Sequence, residues 1–299
     1  GRLAANLTPE QRAHFTDAMT SLAPTGGFQT IDTPSVLAGI VDGWALNDGD
    51  FSCAIAGNID WRDYELADIQ LKRDPAQALL RGYRRYGTDL LRTIGGRFSL
   101  ALWDSSKRSG VIATDRFGQM PVYWSAVDDG DLAFGPTATA VALLTGNRAT
   151  LSDQGIFNYL YFHMVPAPET AFKGIHKLMA AHALVAHDGK WTTKRYWEPD
   201  FREDADTSFA DAAEEMVGLL STSVSRLDDG ESTGAFLSGG LDSSTVAGLL
   251  ARHRPRPKTY SIGFDAEGFD EIGFARIASQ RFDTQFETYY VTPADVLSE

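Results

Sequence analysis

Between Thr233 and Val291 short apolar runs alternate with amphipathic stretches, and this alternation narrows the fold more than any other feature of the chain. Residues 234–237 read as a strand, followed by a glycine-containing loop and a helix with Val246, Leu249 and Leu250 on one face. Arg254-Pro255-Arg256-Pro257 ends that helix, because proline lacks a donor and restricts the residue before it. Residues 258–264 read as the next strand, about 271–281 as a helix and about 286–291 as a third strand. Strands that alternate with helices in this βαβαβ order pair in parallel, since each connection crosses back over the sheet. Three strands are too few for a doubly wound domain covered on both faces, so this domain is expected to be cut off at Glu299.

The loop itself reads Ser238-Gly239-Gly240-Leu241-Asp242-Ser243, with Leu237 ahead of it. It lies beyond the carboxyl end of a strand, where open α/β sheets bind ligands. Glycines allow backbone N–H groups to approach phosphate oxygens closely, and the following helix turns its partly positive N-terminus to the same place. Ser238 and Ser243 add hydroxyl donors, and Asp242 is an acceptor suited to a magnesium ion bridging phosphates. The Gly-Lys-Ser/Thr ending of a Walker A loop is absent, and so is G-x-G-x-x-G. A bare Gly-Gly is most simply a structural turn, but the full six-residue pattern at a strand-to-helix junction favours an anion site.

The preceding 200 residues or so have a different texture, rich in strands with a few helices. Residues 98–103 and 110–114 form a hairpin around the polar turn Asp104-Ser105-Ser106-Lys107-Arg108, and 75–86 is a helix with Leu79, Leu80 and Tyr83 on one face. Acidic and polar residues from Glu198 to Asp206 suggest a linker, after which Phe209, Ala212, Met216, Leu219 and Leu220 recur at helical spacing. A length of 299 residues favours two domains, here 1–200 and 205–299, and 43% hydrophobic with 11% aromatic residues suffices for packed cores. Lys and Arg total 27 against 40 Asp and Glu, and the net charge of -13 disfavours nucleic acid or an acidic membrane surface as partner. The lone Cys53 excludes a disulfide framework or cysteine-rich metal site within the chain. No signal-like apolar core lies near Gly1 and no uncharged apolar run of about 18 residues occurs, so the reading is a soluble, reduced, cytoplasmic protein.

The loop resembles that of the ATP-pyrophosphatase (PP-loop) families, and the rest of the chain is similar to one branch of them, the asparagine synthetases. Tyr260-Ser261-Ile262-Gly263-Phe264, then Phe269-Asp270-Glu271 and Ala275-Arg276, resemble that family's second strand and helix. Upstream, 98–103 and Thr114-Asp115-Arg116-Phe117-Gly118-Gln119-Met120-Pro121-Val122-Tyr123 resemble its F-A-F-A-L-W and R-D-R-x-G-x-K-P-L-Y stretches. Asn158 to Thr170, Phe172 to Ile175 and Arg195-Tyr196-Trp197 resemble its domain-joining segment. The likeness runs from about residue 50 to the end. It implies an α+β, Ntn-hydrolase-like αββα sandwich followed by part of a PP-loop ATP-pyrophosphatase parallel α/β domain. It further implies ATP and Mg2+ as cofactors. Leu237, Ser238, Gly239, Gly240, Leu241 and Ser243 would hold ATP and pyrophosphate, Ile262 and Gly263 the adenine, and Asp242 the metal. The family's second metal aspartate, catalytic lysine and substrate pocket would lie beyond residue 299, so no catalytic residue is assigned and the chain alone is not expected to complete catalysis.

The glutamine-hydrolysing half departs from the pattern. Its relatives begin with Cys-Gly-Ile, where the cysteine is nucleophile and its amine the base; this chain begins Gly1-Arg2-Leu3, and Cys53 sits in an alternating, core-like run. F-N-G-E-I-Y-N is replaced by Ile55-Ala56-Gly57-Asn58-Ile59-Asp60-Trp61, without the oxyanion-hole asparagine, and R-G-P-D-G by Ala23-Pro24-Thr25-Gly26-Gly27. No R-L-S-I arginine is found between Ala38 and Trp44, and Asp74 alone is left of S-D-T-E. The expectation is therefore an ATP-dependent amide-forming ligase that adenylates a small-molecule or peptide carboxylate, with an inactive glutaminase half. The β-lactam synthetases and lasso-peptide cyclases are the resembling precedent, and the remainder of the synthetase domain is the expected partner. A glutamine-dependent asparagine synthetase with a trimmed N-terminus, and a non-catalytic nucleotide-binding scaffold, are the alternatives.

Overall fold

The computed structural model describes the chain except residues 5–6, 23–27, 73, 128–130, 147–149, 204–205, 229–232, 265–269 and 299. The substituted loop 23–27, part of the expected linker and Phe269 therefore lie outside the described residues. The chain divides into two compact units, Gly1–Asp200 and Phe201–Glu299.

The first unit contains, in order, β1 (Arg2–Leu3), α1 (Pro9–Leu22), β2 (Gln29–Asp32), β3 (Val36–Ile40), β4 (Gly43–Asp48), β5 (Phe51–Trp61), α2 (Tyr64–Lys72), α3 (Pro75–Tyr86), α4 (Leu90–Thr93), β6 (Ile94–Asp104) and β7 (Ser109–Thr114). It continues with β8 (Tyr123–Ala126), β9 (Leu132–Gly135), α5 (Ala138–Thr145), α6 (Asp153–Phe162), β10 (His176–Lys177), β11 (His182–His187) and β12 (Lys190–Arg195). Two six-stranded sheets result, ordered β10-β8-β9-β1-β3-β2 and β12-β11-β7-β6-β5-β4. All their pairings are antiparallel.

Three apolar layers hold these sheets. Leu3, Val36 and Leu132 of the first sheet pack with Trp103, Ile112 and Leu184 of the second. On the outer face of the second sheet, Ile55, Phe98 and Leu100 meet Leu79 and Leu80 of α3. On the outer face of the first, Leu37 and Ala133 meet Phe15 of α1 and Val141 of α5. The order of layers is thus helix, sheet, sheet, helix. The 11-residue β5 and β6 pair along their whole length. Residues 104–108 turn β6 into β7, as the polar run between two apolar runs predicts. Helix α3 begins where Asp74 accepts a hydrogen bond from the Gln77 N–H, with Pro75 in its first turn, and ends at Gly87 at φ 58.

The second unit runs α7 (Phe209–Leu227), β13 (Gly234–Phe236), α8 (Leu241–His253), β14 (Lys258–Phe264), α9 (Ile272–Phe282), β15 (Gln285–Val291) and α10 (Pro293–Ser298). The three strands pair in parallel in the order β13-β14-β15, as the alternation predicts. Ala235, Leu237, Thr259, Ser261 and Gly263 face α8 and α9 and are buried, whereas Phe236, Ile262, Phe264 and Tyr289 on the other face are exposed. The apolar periodicity of α7 does yield a helix, capped by Ser208. Contrary to its amphipathic pattern, none of its residues is buried.

Candidate functional site

The glycine loop leaves the sheet at Leu237 and enters α8 at Leu241. Gly239 stands at φ +83, a region that L side chains rarely adopt. A Cβ there would also lie 2.4 Å from the Phe274 carbonyl carbon and 2.5 Å from the Ala275 nitrogen, so the loop rests directly on the first turn of α9. Gly240 is the N-cap of α8 and provides no side-chain cap, which leaves the first N–H groups of this 13-residue helix without one.

Two serines organise the loop. The Ser238 N–H donates to Ser243 Oγ at 3.1 Å, the two hydroxyls lie 3.0 Å apart, and the Gly240 N–H donates to Ser238 Oγ at 3.3 Å. Ser243 Oγ also donates to the Gly240 carbonyl at 3.3 Å. Asp242, in the first turn of α8, is exposed. No group of three or more His, Cys, Asp or Glu converges among the described residues. A cation here would thus rely on one carboxylate together with oxygens brought by a ligand. That donor set fits magnesium, which is commonly held by one or two carboxylates plus phosphates and water.

Residues 237–240 form the loop and 241–243 the first turn of α8, and Ile262 and Gly263 lie at the carboxyl end of the adjacent strand, opposite Tyr289 and Tyr290. Packing already accounts for Gly263, where a Cβ would fall 2.4 Å from Ile272 Cδ1 and 2.8 Å from the Tyr290 ring. Ile262 is 52% exposed, but it shares this exposure with the whole open face of the sheet. Ser261 escaped the sequence reading. It is buried beside the loop and donates to the Leu237 carbonyl. Its signal lay in the alternation of 258–264, which places Thr259, Ser261 and Gly263 on one face.

The first unit bears on the glutamine chemistry. Cys53 lies in β5, buried, with its thiol directed to the Ala76 carbonyl at 3.5 Å. Burial, followed by the nearby charge of Asp74, pushes its pKa up to about 12, the reverse of an activated nucleophile. Ala56 lies in β5, paired with Gly43 on one side and Ser99 on the other. Asp74 is engaged as the cap of α3.

Comparison with known proteins adds family matches in both units. The glutamine amidotransferase domain family matches residues 69–197, and the asparagine synthase family matches residues 215–299. A Mycobacterium tuberculosis protein assigned by name to the glutamine-hydrolysing asparagine synthetases is 34% identical over 214 residues, which are 67% of this chain and 32% of the relative. A glutamine-hydrolysing asparagine synthetase of Bacillus subtilis is 24% identical over 225 residues, 75% of this chain and 35% of its own. An amidase of Penicillium rubens is 28% identical over 203 residues, 64% of this chain and 29% of its own. The chain thus spans about a third of the length of these curated relatives.

Proposed function

The chain belongs to the asparagine synthetase family, and on that premise we propose that it forms part of an ATP-dependent amide-forming ligase that activates a carboxylate as its adenylate. The observation that carries this reading is the seating of Ser238–Ser243 between a parallel strand and an uncapped helix N-terminus, with Asp242 exposed beside it. In the proposed reaction a carboxylate oxygen attacks the α-phosphorus of ATP and the bond to the β-phosphate breaks. An amine then attacks the acyl carbon, loses a proton, and AMP departs with the C–O electron pair. The protein's contribution is position and charge. N–H groups and hydroxyls of Ser238, Gly239, Gly240 and Ser243, with Leu237 and Leu241 framing the turn, receive the pyrophosphate, and Ile262 and Gly263 border the adenine. Asp242 would hold Mg2+, which neutralises charge on the leaving group.

The first unit fits a glutaminase-type αββα sandwich of the Ntn class that no longer releases ammonia. Its support is Ala56 in place of the oxyanion-hole asparagine and a Cys53 thiol buried and protonated. The attacking amine is then free ammonia or part of the substrate, as in ring-closing members of the family. The names of the relatives favour a second reading, a glutamine-dependent asparagine synthetase.

ATP–pyrophosphate exchange in the full-length protein, against a panel of acids with aspartate first, separates these readings. We expect magnesium-dependent exchange that falls by roughly 100-fold or more in Asp242→Ala, and no ammonia from glutamine. Exchange with aspartate together with glutaminase activity would establish the second reading. Failure to bind Mg-ATP at all would leave a non-catalytic scaffold.

A further inference from the structure

The peptide joining Leu237 to Ser238 is the last one before the glycine loop, and both of its polar ends are held. Its carbonyl belongs to Leu237, which is 1% exposed, and accepts the hydroxyl of Ser261, which is 6% exposed. Its N–H is that of Ser238 and donates to Ser243 Oγ inside the loop. The register of β13 with β14 ends at Phe236 opposite Tyr260, and the Leu237 N–H makes one more bond to the Tyr260 carbonyl at 2.8 Å. In a parallel ladder the following carbonyl would take its bond from a backbone amide of the neighbouring strand. Here a side chain holds it at the point where the strand leaves the sheet. A peptide unit is planar, so fixing the carbonyl also fixes the direction of the N–H at its other end.

We infer that Ser261 is a positioning residue for the glycine loop: by holding the Leu237 carbonyl it fixes the Ser238 N–H and, through its bond, the Ser243 hydroxyl of the anion seat, and so sets the affinity for a polyphosphate. The inference rests on reading the loop as the ATP site. Thr259 provides an internal control. It is also a buried hydroxyl of β14, but it bonds Thr284 Oγ1 at 2.7 Å rather than the loop.

The test is titration of the full-length protein with Mg-ATP and Mg-pyrophosphate, at a temperature where melting curves show every variant folded. Ser261→Ala should weaken both by about tenfold, the loss of one oriented donor. Ser261→Thr, which keeps the hydroxyl, should bind as the unaltered protein does, and Thr259→Val should lower the melting temperature without changing either affinity. Should Ser261→Ala not fold, Ser261→Cys, with its weaker donor, takes its place and should bind about threefold more weakly. Unchanged affinity in Ser261→Ala or Ser261→Cys, or an equal loss in Thr259→Val, would overturn the positioning role alone. Absence of binding by the unaltered protein would overturn the ATP reading, and the positioning role with it.

Discussion

Gly239 meets two demands that no other residue type satisfies together: a backbone at φ +83 and contact with the first turn of α9 closer than a methyl group allows. Gly239→Ala should therefore destabilise the second unit by about 3 kcal/mol, read by urea unfolding, and abolish Mg-ATP binding even where the protein stays folded. Cys53 gives a prediction of opposite character. Its thiol titrates near 12 in the folded chain against an ordinary 9.0, so folding keeps a proton that the unfolded chain has lost in between. Its contribution is complete below the ordinary value and fades as pH rises through it toward the folded one. Unfolding midpoints measured on either side of the ordinary value should fall with alkalinity, and Cys53→Ala should flatten part of that slope. The native thiol should also resist alkylation until the chain unfolds.

Among the elements, those set by local chemistry were the legible ones. The bounds 75–86 read from sequence match α3, and the structure shows why: Asp74 caps it, Pro75 sits in its first turn and Gly87 at positive φ ends it, all acting within one turn. Asp74→Ala should lower stability by about 1 kcal/mol, measured by denaturant unfolding, with no effect on nucleotide binding. The βαβαβ order of the second unit was equally plain, because turn residues punctuate it. Pairing was not legible: β1, two residues long, lies between β3 and β9, which follow it by more than 30 and more than 120 residues. No periodicity encodes such partners, because register depends on side chains that meet only after folding. The face of β14 was hard to read for a related reason. Its apolar residues Ile262 and Phe264 point away from α8 and α9, and small polar residues point inward. The loop residues stood out as a motif, whereas the alternation of 258–264 puts Ser261 on the inward face without marking its single bond to the neighbouring strand.

At the scale of the whole chain, we propose that charge disfavours polyanionic partners. With 27 basic against 40 acidic residues the surface repels polyanions in general. A labelled DNA duplex should show no change in anisotropy with the protein even at low salt, where phosphate contacts are strongest. Among the described residues no helix is long and apolar enough to cross a membrane. A small anion drawn to the glycine loop must therefore be held against the average field of the protein, by local donors alone. Part of that donor set already has internal partners, since Ser238 and Ser243 satisfy each other and two of the loop's amides. At these two amides and two hydroxyls the arrival of an anion is a swap of hydrogen bonds, and any net gain comes from the uncapped N–H groups of α8. The calorimetric trace should accordingly show less heat than the number of donors around the anion would suggest, with an association constant that responds to ionic strength and magnesium activity.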